Sequence, residues 1–423
     1  MSDTPIPAAA GTLHAALTPA GAALLDLLTG HLPGVHNAAD HCNRTGTFPG
    51  DVFKAFGESG VLGATVPRRL GGLGLDRLYD VATALLTVAE VDASTALALH
   101  AQFSRGLTFT YEWLHGEPHA RQLAERVLRA MALGDPVSGG VKEHPSAVTT
   151  ITPDGHGGWR LNGRTTMVTM APVAKHIITV AQTRGDGCPV RLATVLVSPD
   201  NPGVTVLDNW DGLGMRASGT VDVLYEDAGV PGADVLVRGA VGAQHDGALA
   251  GQTVSSITML GIYLGVAQAA RDWAVRHVAR GGQAPPAAVR PLVAEIDARL
   301  YMLRATAGSA LLNADTAAQE ITDVAVRGRS MMVPFQYAKL MVNRHAPALV
   351  DDCLTLVGGA TYSAGHPLAR MLRDIRANNF MQPYNYIDGV EFLSAHALDL
   401  PYDSNYISAR AARSLRSERS GPR

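Results

Sequence analysis

One polar stretch, RDIRANNFMQPYN, runs from Arg373 to Asn385 and concentrates side chains that could bind a ligand or move a proton. Its one carboxylate is Asp374, and the amide Gln382 stands further along it. An amide donates and accepts hydrogen bonds, but it cannot take up a proton near pH 7. The stretch is therefore suited to orienting a ligand, and the residue that would remove a proton is missing from it.

Cysteine chemistry and metal binding have little support in the sequence. The three cysteines, Cys42, Cys188 and Cys353, lie far apart and form no C-x-x-C pair. That usage fits a reducing compartment, so we expect a cytoplasmic protein without a disulfide framework. We predict no metal site.

Charge and hydropathy exclude two classes of partner. The net charge is −3 and no long basic run occurs, whereas nucleic-acid binding needs clustered Lys and Arg. The N-terminus lacks the basic region of a signal peptide. Polar residues interrupt the longest uncharged stretch, Gly247 to Ala270, so we expect a buried core helix there and no membrane span.

The elements that must position these side chains fall into three zones. Residues 21–133 show apolar residues at helical spacing, after a flexible N-terminus at 1–20. Residues 134–237 alternate β-branched runs with turns, which is typical of a β-sandwich or small barrel. Residues 238–400 return to helices and predict a four-helix bundle, followed by a loose basic tail at 401–423. This order predicts an α+β protein.

Five collinear stretches resemble motifs of the acyl-CoA dehydrogenase superfamily of flavoproteins. They are VPRRLGGLGLD (66–76), LNGRTTMVTMAP (161–172), GLGMRASGTVDVLYEDAGVP (212–231), GVAQAARDWAVRHVARG (265–281) and VGGATYSAGHPLARMLRDIR (357–376). The resemblance covers about residues 20 to 395. It implies an N-terminal helical domain, a middle β-domain and a C-terminal bundle, with FAD in the cleft between the last two.

The resemblance assigns cofactor contacts to one strand. Thr169 matches the family Thr whose hydroxyl lies beside flavin N5, where it can stabilise the reduced ring. Met167 replaces the family Trp and could still cover the ring face. Val168, between these two residues, is assigned to the same cofactor-binding strand. The alternative is that Val168, Thr169 and Met170 are ordinary strand residues.

Four further cofactor-binding residues follow from the resemblance. Ser146, in GGVKEHPSAVTT, matches the serine of the loop that touches the flavin pyrophosphate. Gly358 and Gly359 would allow close approach of the backbone to the dinucleotide, or would simply cap a helix. Arg280 would reach a partner subunit's cofactor, or is a surface charge at a helix C-terminus.

The family's catalytic Glu has no counterpart in this chain. The family spacing after Asp374 leads to Gln382, and the alternative helix position of that Glu leads to Ser255; neither is a base by itself. A gap in the alignment would instead offer Asp388, whose other interpretation is an early acid of the last helix.

Three functions are compatible with these residues. The first is an FAD-dependent desaturase that passes a hydride to flavin N5 from an acyl thioester or a related small molecule, with an unusual base. The second is a two-component monooxygenase that uses reduced flavin and O₂ to hydroxylate amines or sulfur heterocycles in a dry pocket. The third is an inactive flavin-binding assembly subunit. We favour the first, in a homodimer or homotetramer.

Overall fold

The computed structural model describes residues 12–140, 142–143, 148–185, 188–280 and 285–420. Within these residues, five helices are followed by nine strands and then by seven helices. This order confirms the predicted α+β class with its two helical regions around a β-region. The helices are α1 Pro19–Thr45, α2 Gly50–Glu58, α3 Leu78–Ala89, α4 Ala93–His115, α5 Pro118–Ala132, α6 Gly247–Val254, α7 Met259–Val278, α8 Arg290–Glu320, α9 Val324–Val357, α10 Pro367–Ile375, α11 Tyr386–Ala397 and α12 Tyr406–Ser420.

The N-terminal helices begin at side chains that satisfy free backbone N–H groups. Thr18 caps α1 by accepting from Gly21 N, and Asp92 caps α4 by accepting from Thr95 N at 2.8 Å. The buried Asp80 accepts bonds from the N–H groups of Leu17 and Thr18, so it ties the chain before α1 to α3. Each cap of this kind contributes about 1 kcal/mol to helix stability.

The middle region is one hydrogen-bonded sheet of nine strands. Its order is β7-β8-β4-β3-β5-β6-β9, with β1 paired to β5 and β2 to β4. β5 is antiparallel to β6 but parallel to β1 and β3, so the sheet is mixed. The strands are β1 Val137–Gly140, β2 Lys142–Glu143, β3 Thr150–Pro153, β4 Gly158–Val168, β5 His176–Thr183, β6 Arg191–Val197, β7 Val204–Val206, β8 Val221–Pro231 and β9 Val235–Ala240.

Helix α7 is the centre of the C-terminal region and packs on both α3 and α9. A Cβ on Gly261 would lie 2.0 Å from the Ala82 carbonyl oxygen, so glycine lets α3 approach closely. By length and composition alone, Gly247–Val278 could cross a membrane, but 83% of its most apolar 18-residue segment is buried inside the protein. This burial agrees with the predicted core helix.

Within the described residues, parts of both predicted loose segments pack against the protein. The predicted C-terminal tail forms α12, and its Tyr406, Ala409 and Ala411 are buried against the rest of the protein. Near the other end, Leu13 is buried and its N–H donates to the Tyr79 hydroxyl. The physical reason is the same at both ends: a few apolar side chains and polar anchors are enough to dock a short segment.

Candidate active site

A large cavity lies where α4, the end of β4, α6, the start of α9 and α12 meet. Its volume is about 1240 Å³. Apolar side chains make up much of its wall, and a few hydroxyls, amides and arginines interrupt them. A large, mainly apolar cavity with a few convergent polar groups is the usual form of a cofactor and substrate site.

Three hydroxyls form a short chain along one wall of the cavity. Thr169 Oγ1 lies 3.0 Å from Thr220 Oγ1, which lies 2.7 Å from Ser218 Oγ. The backbone of Thr169 is held by Ser138, whose hydroxyl donates to the Thr169 carbonyl, and by a β-bridge to Gly139. Thr169 and Thr220 both line the cavity, so the chain can present a hydroxyl donor to a ligand.

The other residues of the predicted flavin strand point in different directions. Met167 lines the cavity and is about half exposed, with a φ of 58° and its N–H bonded to Asp222 Oδ1. Val168 is fully buried in the sheet core and does not line the cavity. Ser146 lies outside the described residues.

Helix α4 contributes a neutral imidazole and a cation to the cavity. Burial, helped by the nearby Arg105, lowers the pKa of His100 to about 4, and its Nδ1 lies 3.0 Å from Thr258 Oγ1. Burial also lowers the pKa of Arg105 to about 10, so its guanidinium remains charged at neutral pH. Its Nε has no hydrogen-bond partner in the described part of the chain.

Two of the three candidate catalytic residues lie at the cavity. Gln382 lines it, and its buried Oε1 has no partner among the described residues. Ser255 lines it too, and its hydroxyl donates to the Gln252 carbonyl at 3.0 Å. Asp388 lies in the first turn of α11, where Asn385 caps the helix, and it does not line the cavity.

The predicted dinucleotide contacts lie away from this cavity. Arg280 is exposed just after α7, with its guanidinium 5.9 Å from the centroid of the Trp273 ring. Gly358 ends α9 with a φ of 89°, and no atom stands within 4 Å of a Cβ built on it or on Gly359. None of these residues lines the cavity.

Sequence reasoning missed several cavity residues. Arg327 at the start of α9 and Tyr406 and Ile407 of α12 all line it. The apolar spacing of YISARAARSL could have predicted an amphipathic helix. Nothing in the local sequence indicates that this helix packs beside the cavity.

Across the parts of the chain that the structure describes, no group of three or more His, Cys, Asp or Glu side chains is arranged to hold a metal ion. The described carboxylates of the cavity wall are already engaged or exposed: Glu112 pairs with Arg238 at 2.8 Å, Asp315 accepts from Leu78 N and Tyr79 N, and Asp76 is exposed.

The family models of acyl-CoA dehydrogenases match the chain in three consecutive parts. The N-terminal domain matches residues 33–132, the middle domain 130–228 and the C-terminal domain 248–382. Together with the three-part fold and the cavity between its parts, these matches show that the chain belongs to the acyl-CoA dehydrogenase family.

Within that family, the chain is most informatively compared with enzymes that act on amino sugars. It is 58% identical to L-evernosamine nitrososynthase of Micromonospora sp. over 407 residues, which is 96% of this chain and 97% of the relative. It is 58% identical to the amino sugar nitrososynthase RubN8 of Streptomyces rubradiris over 405 residues, 95% of this chain and 96% of the relative.

A solved structure extends the comparison to bound ligands. The structure of KijD3 in complex with FMN and dTDP-3-amino-2,3,6-trideoxy-4-keto-3-methyl-D-glucose superimposes with a TM-score of 0.94. KijD3 is 58% identical to this chain, and the match covers 96% of this chain and all of that one.

Proposed function

We propose that this chain is a flavin-dependent amino sugar nitrososynthase, which uses O₂ to oxidise the amine of a nucleotide-linked amino sugar to a nitroso group. The observation that carries the proposal is the 58% identity to a nitrososynthase over 96% of the chain. At that similarity the fold is shared over nearly the whole chain, so a shared reaction class is the simplest inference. This function corresponds to the monooxygenase alternative drawn from the sequence.

The cavity residues fit a flavin ring. Thr169 and Thr220 offer hydroxyls for the polar edge of the ring, while Met167, Trp210 and Met215 offer apolar surface. Bound reduced flavin supplies the electrons with which O₂ oxidises the amine. The volume of about 1240 Å³ leaves room for a substrate beside the ring.

We propose FMN as the cofactor in place of the FAD expected from the family. FMN lacks the adenine half, so it needs none of the dinucleotide contacts expected from Arg280, Gly358 and Gly359. The FMN bound by KijD3, a 58% identical protein, supports the same choice.

The cations of the cavity suit a substrate with a diphosphate. Arg105, Arg327 and Arg373 line the cavity, and in the described residues none of them pairs with a carboxylate. A guanidinium forms paired hydrogen bonds with phosphate oxygens. We infer that a dTDP-linked amino sugar binds in this cavity, with its diphosphate at one or more of these guanidinium groups and its amine near the hydroxyl chain.

The reaction removes two hydrogens from the amine nitrogen and adds one oxygen atom. In the first step, one O₂ and one reduced flavin convert the amine to a hydroxylamine and water. In the second, another O₂ and another reduced flavin convert the hydroxylamine to the nitroso group and two waters. No α-proton of a thioester has to be removed, which accounts for a cavity with Gln382 where the dehydrogenases carry a Glu.

This chain's own side chains would bind, orient and desolvate the substrate. We propose that Gln382 and Ser255 hydrogen-bond to the sugar, because both line the cavity and Gln382 Oε1 lacks a partner in the described residues. Asp388 is assigned to the start of α11 and to the electrostatic surroundings of Lys339. The apolar wall excludes water from the reacting nitrogen.

The test supplies the protein with FMN, a separate flavin reductase, NADH and O₂, together with a dTDP-linked 3-amino sugar. We expect a product that has lost two hydrogens and gained one oxygen, with the oxygen taken from ¹⁸O₂ in mass spectrometry. Omission of the reductase should abolish the product. Reduction of bound flavin by an acyl-CoA under argon, with no product from the amino sugar, would overturn the proposal in favour of thioester dehydrogenation.

Two expectations about the whole protein remain proposals. We propose that it is cytoplasmic and that it assembles into a homodimer or homotetramer. Exposed large apolar side chains support a covered surface: Ile387 is 75% exposed and Tyr362 is 97% exposed.

A further inference from the structure

A buried lysine ammonium holds the turn that carries Gln382. Lys339 lies in the middle of α9, and only 2% of the residue is exposed. Its Nζ donates to three carbonyl oxygens: Met381 at 2.6 Å, Pro383 at 3.0 Å and Tyr384 at 2.7 Å. All three donor hydrogens of the ammonium are therefore used by one turn, residues 381–384.

A buried ammonium is stable only where hydrogen-bond acceptors compensate for its loss of water. Burial of an ammonium carries a large desolvation penalty, which is offset only when its donor hydrogens all find acceptors. Burial lowers the pKa of Lys339 to about 7, while the Asp388 carboxylate acts in the opposite direction. An apolar side chain at this position would leave these three carbonyl oxygens without a donor, so the ammonium is matched to the carbonyl groups themselves.

The held turn forms part of the cavity wall. Met381, Gln382 and Pro383 all line the cavity, and the bonds from Lys339 reach the carbonyls on both sides of Gln382. Gln382 Oε1 is buried without a partner among the described residues. An unpaired buried amide oxygen of this kind is expected to receive a hydrogen bond from a ligand.

We propose that Lys339 is a positioning residue, whose ammonium fixes the backbone of turn 381–384 so that the Gln382 amide meets the bound substrate in one orientation. The proposal rests on the proposed function for the identity of that substrate. Lys339 itself does not line the cavity, so it acts through Gln382. A lysine that merely joined α9 to α11 would affect stability but would not be coupled to Gln382.

The first test is a double-mutant cycle on the nitrososynthase reaction. Lys339→Met keeps the apolar stem and removes the donors, and we expect kcat/KM to fall about tenfold with the larger part in kcat, because the amide is misplaced while the arginines still bind the nucleotide. For Gln382→Ala we expect kcat/KM to decrease by a similar factor. The double variant should be no worse than the poorer single variant, and losses that multiply would overturn the proposal.

A matched control lies one helical turn along α9. Asn343 is also buried, and its Oδ1 has no partner in the described residues, but no bond joins it to turn 381–384. Asn343→Leu should stay within about twofold of the wild-type kcat/KM while its stability changes. Lys339→Gln keeps two donor hydrogens, so its kcat/KM should lie between those of the wild type and Lys339→Met. It replaces Lys339→Met in the cycle if the methionine variant does not fold.

The second test does not depend on activity. Amide hydrogen exchange of the substrate-free protein should accelerate in Lys339→Met over residues 376–390 and stay unchanged in α7 and α8. Faster exchange throughout α7, α8 and α9 would overturn the positioning role. A wild-type protein that makes no nitroso product would overturn the proposed function alone, because the exchange pattern still tests whether Lys339 holds the turn.

Discussion

At the scale of single residues, the hydroxyl chain of the cavity is the feature most directly suited to a flavin. Thr169 Oγ1 and Thr220 Oγ1 lie 3.0 Å apart, and either can donate to the other. When a ligand atom offers an acceptor, the Thr169 hydroxyl can turn toward it and Thr220 can take a bond from Ser218. Such a chain lets Thr169 donate to the cofactor without leaving a buried hydroxyl unpaired.

This hydroxyl is tested by Thr169→Val, which keeps the shape of the side chain and removes the donor. We expect the dissociation constant of reduced FMN to rise about fivefold, which corresponds to the loss of one hydrogen bond of about 1 kcal/mol. The dissociation constant of oxidised FMN should rise less. Anaerobic fluorescence titration measures both constants. Thr205→Val, on the exposed side of β7, is the control. Equal affinities in the Thr169 variant and the wild type would remove Thr169 from the flavin site.

At the scale of elements, Asp374 joins α10 to the loop before β8. Its Oδ1 accepts from Met215 N at 2.7 Å, and Met215 lines the cavity. Burial raises the pKa of Asp374 to about 6, with Asp92 adding to the shift and Met215 N–H, Arg370 and Arg373 opposing it. The Asp374 carboxyl therefore has a structural role, because it joins α10 to this loop. It keeps that role although the chain lacks the catalytic Glu that follows this Asp in the dehydrogenases.

The raised pKa predicts how stability changes with pH. Because the folded protein holds the Asp374 proton more tightly than the unfolded chain, this group stabilises the fold below about pH 4, and the contribution is lost as the pH rises through about 6. Asp374→Asn keeps the acceptor for Met215 without the charge. The free energy of unfolding of the variant, relative to the wild type, should increase by about 2 to 3 kcal/mol between about pH 4 and pH 7.

Urea denaturation at several pH values measures this difference. Asp200→Asn changes an exposed turn residue and is the control. Its free energy of unfolding relative to the wild type should not change with pH. A flat difference for Asp374→Asn as well would show that Asp374 holds no proton in the folded protein between about pH 4 and pH 6.

At the scale of the whole molecule, α12 completes the cavity. Tyr406 and Ile407 line it, and the segment before α12 is anchored because Gln252 Nε2 donates to the Ser404 carbonyl and Tyr406 N donates to Gln252 Oε1. The Tyr384 hydroxyl also donates to the Asp403 carbonyl. The last part of the chain is therefore joined both to α6 and to the turn that carries Gln382.

Truncation tests this arrangement. A chain that ends at Leu400 should lose at least about tenfold in affinity for dTDP, because the wall formed by Tyr406 and Ile407 is removed. It should also melt at a lower temperature, since buried apolar surface is lost. A chain that ends at Ser417 keeps this wall and should bind as the full chain does. Isothermal titration calorimetry measures the affinity, and equal binding by all three chains would contradict the role of α12.

The order of elements and the family could be predicted from the sequence because both depend on local patterns. Helical apolar spacing, β-branched runs and the stretch GLGMRASGTVDVLYEDAGVP are each visible within a few residues. The placement of Thr169 and Gln382 at a common cavity followed from the family alignment, and the structure brings both to the cavity wall. Asp388, offered by a shifted alignment, lies in the first turn of α11 instead.

The sequence by itself determined the fold family, the strand that leads to Thr169 and the absence of a glutamate at the position of Gln382. Only the tertiary structure decided that α12 closes the cavity, that Arg105 stands in it without a carboxylate partner among the described residues, and that Lys339 holds the Gln382 turn. The physical reason is sequence separation. Periodicity and motifs report interactions between near neighbours, whereas these contacts join α4, α9 and α12 to distant segments and depend on how the packed elements meet.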